Sequence, residues 1–212
     1  MQDLITPDFD HSALEDPSLL DLVAVFENSW NHYVIEPARE LINTKNFDVA
    51  ALTVLTTYFE GIWIYKSGED STGKSRAFFI EGFCECFDGD PKGARIVAKE
   101  IYKHVRCGLA HSGMLSKKVQ YSREGNHAFY VTYPKNADGT LDTEAEITSI
   151  VLNAERILAG IEIHFKKYIS ELRGGEDSDL QIRFDKIIRK LWGVGEEPLI
   201  IGMTEEEFRG DA

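Results

Sequence analysis

Residues 49–68, VAALTVLTTYFEGIWIYKSG, are the stretch that decides the fold. Apolar side chains fall on nearly every side of a helix drawn through this run, which begins after Asp48. A helix that is apolar all round must be buried, so we expect it to lie at the centre of the core. Gly68 is the expected end of this helix, because glycine readily adopts the left-handed conformation of a C-cap.

Further helices are predicted on both sides of this central one, because apolar residues recur at spacings of three and four. Pro37 lacks an amide proton and is expected to break or restart the first of them. Thr143 and Glu146 form a capping box, which predicts that a long helix starts there. The predicted helices span about residues 17–43, 48–67, 75–87, 91–109, 143–172 and 178–192.

A different pattern occupies residues 117–134, KKVQYSREGNHAFYVTYP. Its alternating, β-rich residues predict a β-hairpin, with strands at 119–122 and 128–133 and a turn near Gly125. The chain is therefore predicted to be mainly α-helical, with a small β-hairpin insertion and additional C-terminal helices. We expect a single helical domain over residues 1–195 and an acidic C-terminal tail over 196–212.

Charge restricts the classes of partner. The formal net charge is −13 and the pI is about 4.9, which disfavours broad nucleic-acid binding but leaves room for a small positive site. No apolar run is long enough to span a bilayer, and the N-terminus lacks the basic and apolar regions of a secretory signal. Much of the acidity lies in the tail, where Arg209 stands against Glu196, Glu197, Glu205, Glu206, Glu207 and Asp211.

The three cysteines, Cys84, Cys86 and Cys107, have neither the number nor the spacing of a disulfide framework. We interpret them as free thiols and expect a cytoplasmic protein. No cluster has the spacing of a zinc site, and no cofactor or metal is predicted. Gly73-Lys74-Ser75 resembles part of a phosphate-binding loop but lacks the earlier glycine and the preceding strand, so we do not assign one.

The segment RCGLAHSG, residues 106–113, holds two cationic side chains, Arg106 and His111. On a regular helix, residues five apart differ by about 140° around the axis. Their convergence therefore requires the backbone to loosen, which Gly108 would ease, or a second chain to complete the site. The alternative is structural, because basic residues stabilise a helix C-terminus and Gly113 is a suitable C-cap.

This segment, at the end of an amphipathic helix in a helical chain, resembles the Arg-x4–6-His motif of the HEPN superfamily, the higher eukaryote and prokaryote nucleotide-binding domains. The resemblance extends loosely to helix order over about residues 17–113. It implies a HEPN-like helical bundle that acts as a homodimer, with two Arg–His pairs facing one cleft. Many such proteins are metal-independent endoribonucleases of toxin–antitoxin and antiviral systems, and others bind nucleotides or RNA without turnover.

The resemblance also assigns roles to residues. His111 would exchange protons with the RNA, as an imidazole can near neutral pH, and Arg106 would bind the phosphate through its fixed fork of donors. Glu60 would occupy the place of an acidic residue on the second long helix and pair with Arg106. Independently of the resemblance, His104 lies seven residues before His111 and near the same face of a helix, so it is a candidate accessory group. Cys107 stands where the family commonly has Asn, Asp or His, and a thiol is a poor replacement, which disfavours ribonuclease activity.

Three hypotheses follow. The first is a helical dimer that binds a nucleotide, RNA or protein partner through Arg106 and His111 in a defence or stress context. The second is a metal-independent endoribonuclease of a toxin–antitoxin or antiviral system, with an antitoxin or other protein as partner. The third is a purely structural helical protein in which the motif is only a helix end.

Overall fold

The computed structural model describes residues 4–87, 91–194 and 210. It is mainly helical, as the sequence predicts, with two small sheets. The predicted acidic tail lies almost entirely outside the described residues. The helices are α1 (Leu19–Trp30), α2 (Glu36–Asn43), α3 (Asp48–Ser67), α4 (Ser75–Cys86), α5 (Pro91–Ile101), α6 (Cys107–Ser112), α7 (Ala154–Gly174) and α8 (Ser178–Trp192).

The central position of α3 is confirmed. This helix packs against α2, α4, α7 and α8, and its buried residues lie on several sides. It ends at Gly68, which adopts the left-handed conformation at φ 71° as expected. The apolar composition of residues 49–68 thus has a direct structural reason, because helices cover α3 from most directions.

Aromatic rings fill the space around α3. Trp30 of α1 stacks on Phe165 of α7 with 5.9 Å between ring centroids, and Phe26 lies 4.5 Å from Tyr65 of α3. A second group of rings joins α3, α4 and the sheet, and it consists of Phe59, Phe79, Phe83, Phe87 and Phe129. Burial of such large side chains is the main source of stabilisation for a helical body of this size.

Two helices contain a widened turn. Residues Asn31–Ile35 form a π-helical turn between α1 and α2, and Tyr102–Arg106 form another between α5 and α6. The first absorbs the effect of Pro37, so α1 continues into α2 instead of breaking there. The second leads directly into the Arg106 motif.

The strands differ from the predicted hairpin. Strands β3 (Val119–Tyr121) and β4 (Phe129–Thr132) exist where the sequence predicts them, but their direct pairing is wrong. A further strand, β5 (Ser149–Leu152), lies between them, parallel to β3 and antiparallel to β4. The second sheet pairs β1 (Leu4–Thr6) with β2 (Phe9–Asp10), and no strand was predicted there.

The predicted start of the long helix at Thr143 is also wrong. Helix α7 begins at Ala154, and the side chain of Asn153 accepts a hydrogen bond from the amide of Arg156 as its N-cap. The residues before it form β5, where the β-branched pair Ile150 and Val151 suits a strand. Their spacing to later apolar residues matches a helix equally well, which is why the helical interpretation extended too far.

We predict that Gly82→Ala destabilises the protein by about 2–3 kcal/mol, because its added Cβ would lie 1.9 Å from the carbonyl oxygen of Phe59 and force α4 away from α3. Gly174→Ala in α7 is the matched control, since a Cβ there meets nothing within 4 Å. The control should keep or raise stability by up to about 1 kcal/mol. Urea unfolding measures both, and equal stabilities for the two variants would contradict this packing.

Candidate functional site

The motif lies where the α5 helix widens and then tightens again. In the π-helical turn Tyr102–Arg106, the amide of Cys107 donates to the carbonyl of Tyr102, five residues earlier. The chain then returns to a regular helix over Cys107–Ser112. Such widened turns redirect the side chains around them and recur at functional sites. The loosening expected between Arg106 and His111 is therefore not observed, and the widened turn lies instead at Tyr102–Arg106.

Gly108 has a different role from the predicted one. A Cβ on Gly108 would lie 2.6 Å from the carbonyl oxygen of Met114, so the missing side chain lets the following loop fold back against α6. Bending at Gly108 is wrong as an explanation of the motif. Gly113 is the C-cap, as predicted, with φ 66° and its amide donating to the carbonyl of Leu109.

Arg106 is bound to Glu60 of α3. Its Nη2 lies 3.3 Å from Oε2 of Glu60, and its guanidinium lies 5.8 Å from the centroid of the Tyr102 ring. The Arg106 side chain is 31% exposed and that of Glu60 17%, so the pair lies at the edge of the core, where water screens it only partly. The contact between these two residues is the one that the resemblance implies.

Glu60 accepts hydrogen bonds from three parts of the chain. Besides Arg106, the hydroxyl of Ser71 donates to Oε1 at 2.9 Å and that of Ser75 donates to Oε2 at 2.6 Å. The Tyr102 hydroxyl in turn donates to Oγ of Ser75 at 3.3 Å. This network, which we call the Glu60 network, joins α3, the start of α4 and the π-helical turn, and its bonds to the Glu60 carboxylate are charge-assisted.

Ser71, Ser75 and Tyr102 belong to this site although nothing in the sequence predicted it. Ser75 follows Gly73-Lys74, which we set aside because the surrounding elements do not fit a phosphate loop, and Tyr102 had no assigned chemistry. Each reaches the Glu60 network through a contact between distant parts of the chain. No local pattern in the sequence signals such contacts.

His111 lies apart from Arg106 within the chain. Arg106 directly precedes the regular helix α6 and His111 is its fifth residue, so the two side chains leave the axis about 140° apart. His111 is exposed, and within residues 4–87 and 91–194 it makes no side-chain hydrogen bond or ion pair. One copy of the chain therefore does not gather both groups around one anion.

The other two predicted residues lie nearer the core. His104 is 14% exposed, its Nε2 is 3.5 Å from a carboxylate oxygen of Glu100, and that nitrogen has no hydrogen-bond partner. Burial lowers the pKa of His104 below its ordinary value of 6.5, and Glu100 opposes this effect only in part. Cys107 is a half-buried free thiol. The described residues hold no group of three or more His, Cys, Asp or Glu side chains able to bind a metal.

We predict that His104 makes stability fall in acid. The unfolded chain binds a proton near pH 6.5, whereas folded His104 resists it, so stability is full above about pH 6.5 and declines as pH falls through that value. His104→Gln removes this dependence. Urea unfolding of both proteins at several pH values from about 8 to about 5 checks it, with pH 8 as the reference. Parallel stability curves for the two proteins would show that His104 is not the cause.

The chain was compared with known proteins at three levels. No family model, no curated protein and no solved structure matches it. The resemblance to HEPN proteins therefore remains a prediction from a short motif and its helical context, and any functional inference depends on the geometry of this site.

Proposed function

We propose that the chain is a HEPN-like helical module that binds a phosphate-bearing ligand, a nucleotide or RNA, through Arg106 and His111 as a homodimer in a defence or stress response. The observation that carries this proposal is the state of Arg106. Its guanidinium is held by Glu60 and lies beside Tyr102, yet about a third of the side chain is exposed.

The donors of Arg106 support phosphate binding. A guanidinium has five N–H groups, and the bond to Glu60 uses one nitrogen, Nη2. The remaining donors form a fork of fixed direction that suits two phosphate oxygens. Because Glu60 orients the group before a ligand arrives, less side-chain entropy is lost on binding. Glu60 also offsets its charge, so recognition at this point depends on donor geometry more than on attraction at a distance.

The separation of Arg106 and His111 supports a dimer. Two copies related by a twofold axis could place His111 of one beside Arg106 of the other, which one chain does not achieve. The surface around His111 suits such a contact, since Met114 just beyond α6 is 70% exposed. In a symmetric interface of this kind, each contact between the two copies would occur two times.

The second candidate, a metal-independent endoribonuclease, is favoured by the residue types. The RNA 2′-hydroxyl would attack its own phosphate, His111 would take or return the proton, and Arg106 would stabilise the charge that develops on the phosphate oxygens. Cys107, a half-buried thiol, stands beside Arg106 where an amide or imidazole is common in the family. Binding without turnover is therefore our first choice.

The third candidate, a purely structural role, is favoured by the helix end. Gly113 caps α6 with a left-handed conformation, and His111 lies in the last helical turn, where a cation is favourable. This account explains His111 and Gly113. It does not explain why Arg106 and Glu60 form an ion pair at a partly exposed edge of the core.

We predict that Arg106→Ala weakens the binding of ADP and of a labelled single-stranded RNA 12-mer by at least about tenfold, because the ligand loses a charge-assisted fork of donors. Fluorescence anisotropy and competition measure this. Arg39→Ala is the matched control, since Arg39 makes a surface ion pair with Glu162 at 2.8 Å, and it should bind within about twofold of the wild type. A loss of thermal stability without a loss of affinity would favour the structural role.

The same RNA, incubated in EDTA with the wild type and with His111→Ala, separates binding from cleavage. Cleavage by the wild type and not by the variant would establish the ribonuclease, whereas intact RNA with both favours the binding module.

We predict a dimer in solution, so light scattering should give twice the 24.0 kDa mass of one chain. A mass of one chain at every micromolar concentration tested would contradict the shared cleft.

A further inference from the structure

Positive charge is concentrated around the Arg106 motif. Residues 91–135 contain nine lysines and arginines, and their only acidic residues are Glu100 and Glu124. This stretch therefore carries a net charge of +7 in a chain whose net charge is −13. Such an imbalance produces a local positive potential that can attract an anion although the whole molecule repels it.

Within this stretch the arginines differ from the lysines. Arg95 pairs with Glu81 at 2.6 Å, Arg106 with Glu60 and Arg123 with Asp48 at 2.8 Å, so each is partly neutralised by an acidic residue from elsewhere in the chain. Five lysines have no acidic partner in the parts of the chain that the structure describes, namely Lys135 and four that lie nearer the Arg106 motif in the sequence. These four are Lys99, Lys103, Lys117 and Lys118.

These four lysines, which we call the lysine surface, lie around one point of the fold. Lys99 and Lys103 are exposed and four positions apart, which places them about one turn from each other on the same side of the helix. Lys103 belongs to the π-helical turn that ends at Arg106. The spacing along the helix axis is about 6 Å between these two lysines.

The loop before β3 brings the other two lysines to the same turn. The amide of Ser116 donates to the carbonyl of His104 at 3.3 Å, and the ammonium of Lys118 donates to the carbonyl of Ile147 at 3.4 Å. The bond between Ser116 and His104 therefore places Lys117 and Lys118 next to the turn that contains Lys103. Two acidic residues lie near these lysines: Glu100 beside His104, and the exposed Glu146, which directly precedes Ile147.

We propose that the lysine surface binds the phosphodiester backbone of a single-stranded nucleic acid that continues into the Arg106 site. This inference rests on the proposed function and names its ligand class. Lysine ammoniums are mobile point charges that each gain little from one phosphate, so four of them serve a ligand that carries several phosphates in a row. A mononucleotide would need only the site formed by Arg106 and His111.

An exposed aromatic ring close to the lysines favours nucleic acid over an acidic protein. Tyr121 is 50% exposed on β3, the strand that directly follows Lys117 and Lys118. Unpaired bases stack on such a ring, and the combination of basic groups with an aromatic face is typical of single-strand binding. An acidic peptide would use the lysines and gain little from the ring.

The test compares two double variants that change the charge equally. Lys103→Gln/Lys118→Gln should weaken binding of the single-stranded RNA 12-mer by at least about tenfold at low salt, while Lys166→Gln/Lys167→Gln on α7 should stay within about twofold. Between about 50 and 200 mM KCl, the first variant should lower the salt slope of log K by about 1.4, since each phosphate contact contributes about 0.7 for single strands. A DNA 12-mer of the same sequence should show the same changes in affinity and salt slope, because the lysines contact the phosphates of the backbone.

Lys118 also bonds to Ile147, so Lys99→Gln/Lys117→Gln is the second variant, and it should show the same direction of change with an unaltered melting temperature. Unchanged RNA affinity in this variant, or equally tight binding of poly-glutamate by the wild type, would overturn the lysine surface.

ADP binding distinguishes this inference from the proposed function. Loss of ADP binding on Arg106→Ala with unchanged RNA binding in both lysine variants would leave the proposed function standing and remove this inference. Unchanged ADP binding on Arg106→Ala, together with weakened RNA binding in both lysine variants, would contradict the proposed function and support the lysine surface.

Discussion

The carboxylate of Glu60 is the constraint on which the arrangement of the candidate site depends. It sits on the central helix α3 and accepts hydrogen bonds from Ser71, Ser75 and Arg106. A partly buried carboxylate is costly unless its oxygens are satisfied, so these partners are needed where α3 carries an acidic residue. By satisfying it, they fix the start of α4 and the π-helical turn relative to α3, and they hold the guanidinium of Arg106 at the surface.

The widened turn before Arg106 determines what this surface can do. It ends at Arg106, and the regular helix α6 that follows places His111 on another side. Arg106 and Tyr102 therefore lie together on one side, where we propose that an anion binds, while His111 is exposed on another side of the helix. This division is why we propose binding as the primary function and treat catalysis as dependent on assembly.

The sequence predicts those parts of the fold and of the candidate site that depend on neighbouring residues, and it fails for those that depend on distant contacts. The composition of residues 49–68 and the glycines at 68 and 113 report on their own neighbourhood, and the structure agrees with each. Strand β5 was missed because Ile150 and Val151 fit a helical period as well as a strand, and only pairing with β3 and β4 decides between them. The π-helical turn and the hydrogen bonds of Ser71 and Ser75 depend on distant packing, which periodicity does not encode. The contact between Glu60 and Arg106 was expected from a resemblance and not from any spacing in the chain.

A double-mutant cycle on Glu60 and Arg106 tests this account most directly. Glu60→Gln, Arg106→Gln and the combined variant are unfolded in urea, and the RNA 12-mer affinity of each is measured. If Glu60 positions Arg106, the two substitutions are coupled by about 1 kcal/mol in stability, and Glu60→Gln weakens RNA binding only while Arg106 is present. Additive effects in both measurements would mean that the ion pair does not organise the site, and the account would be wrong.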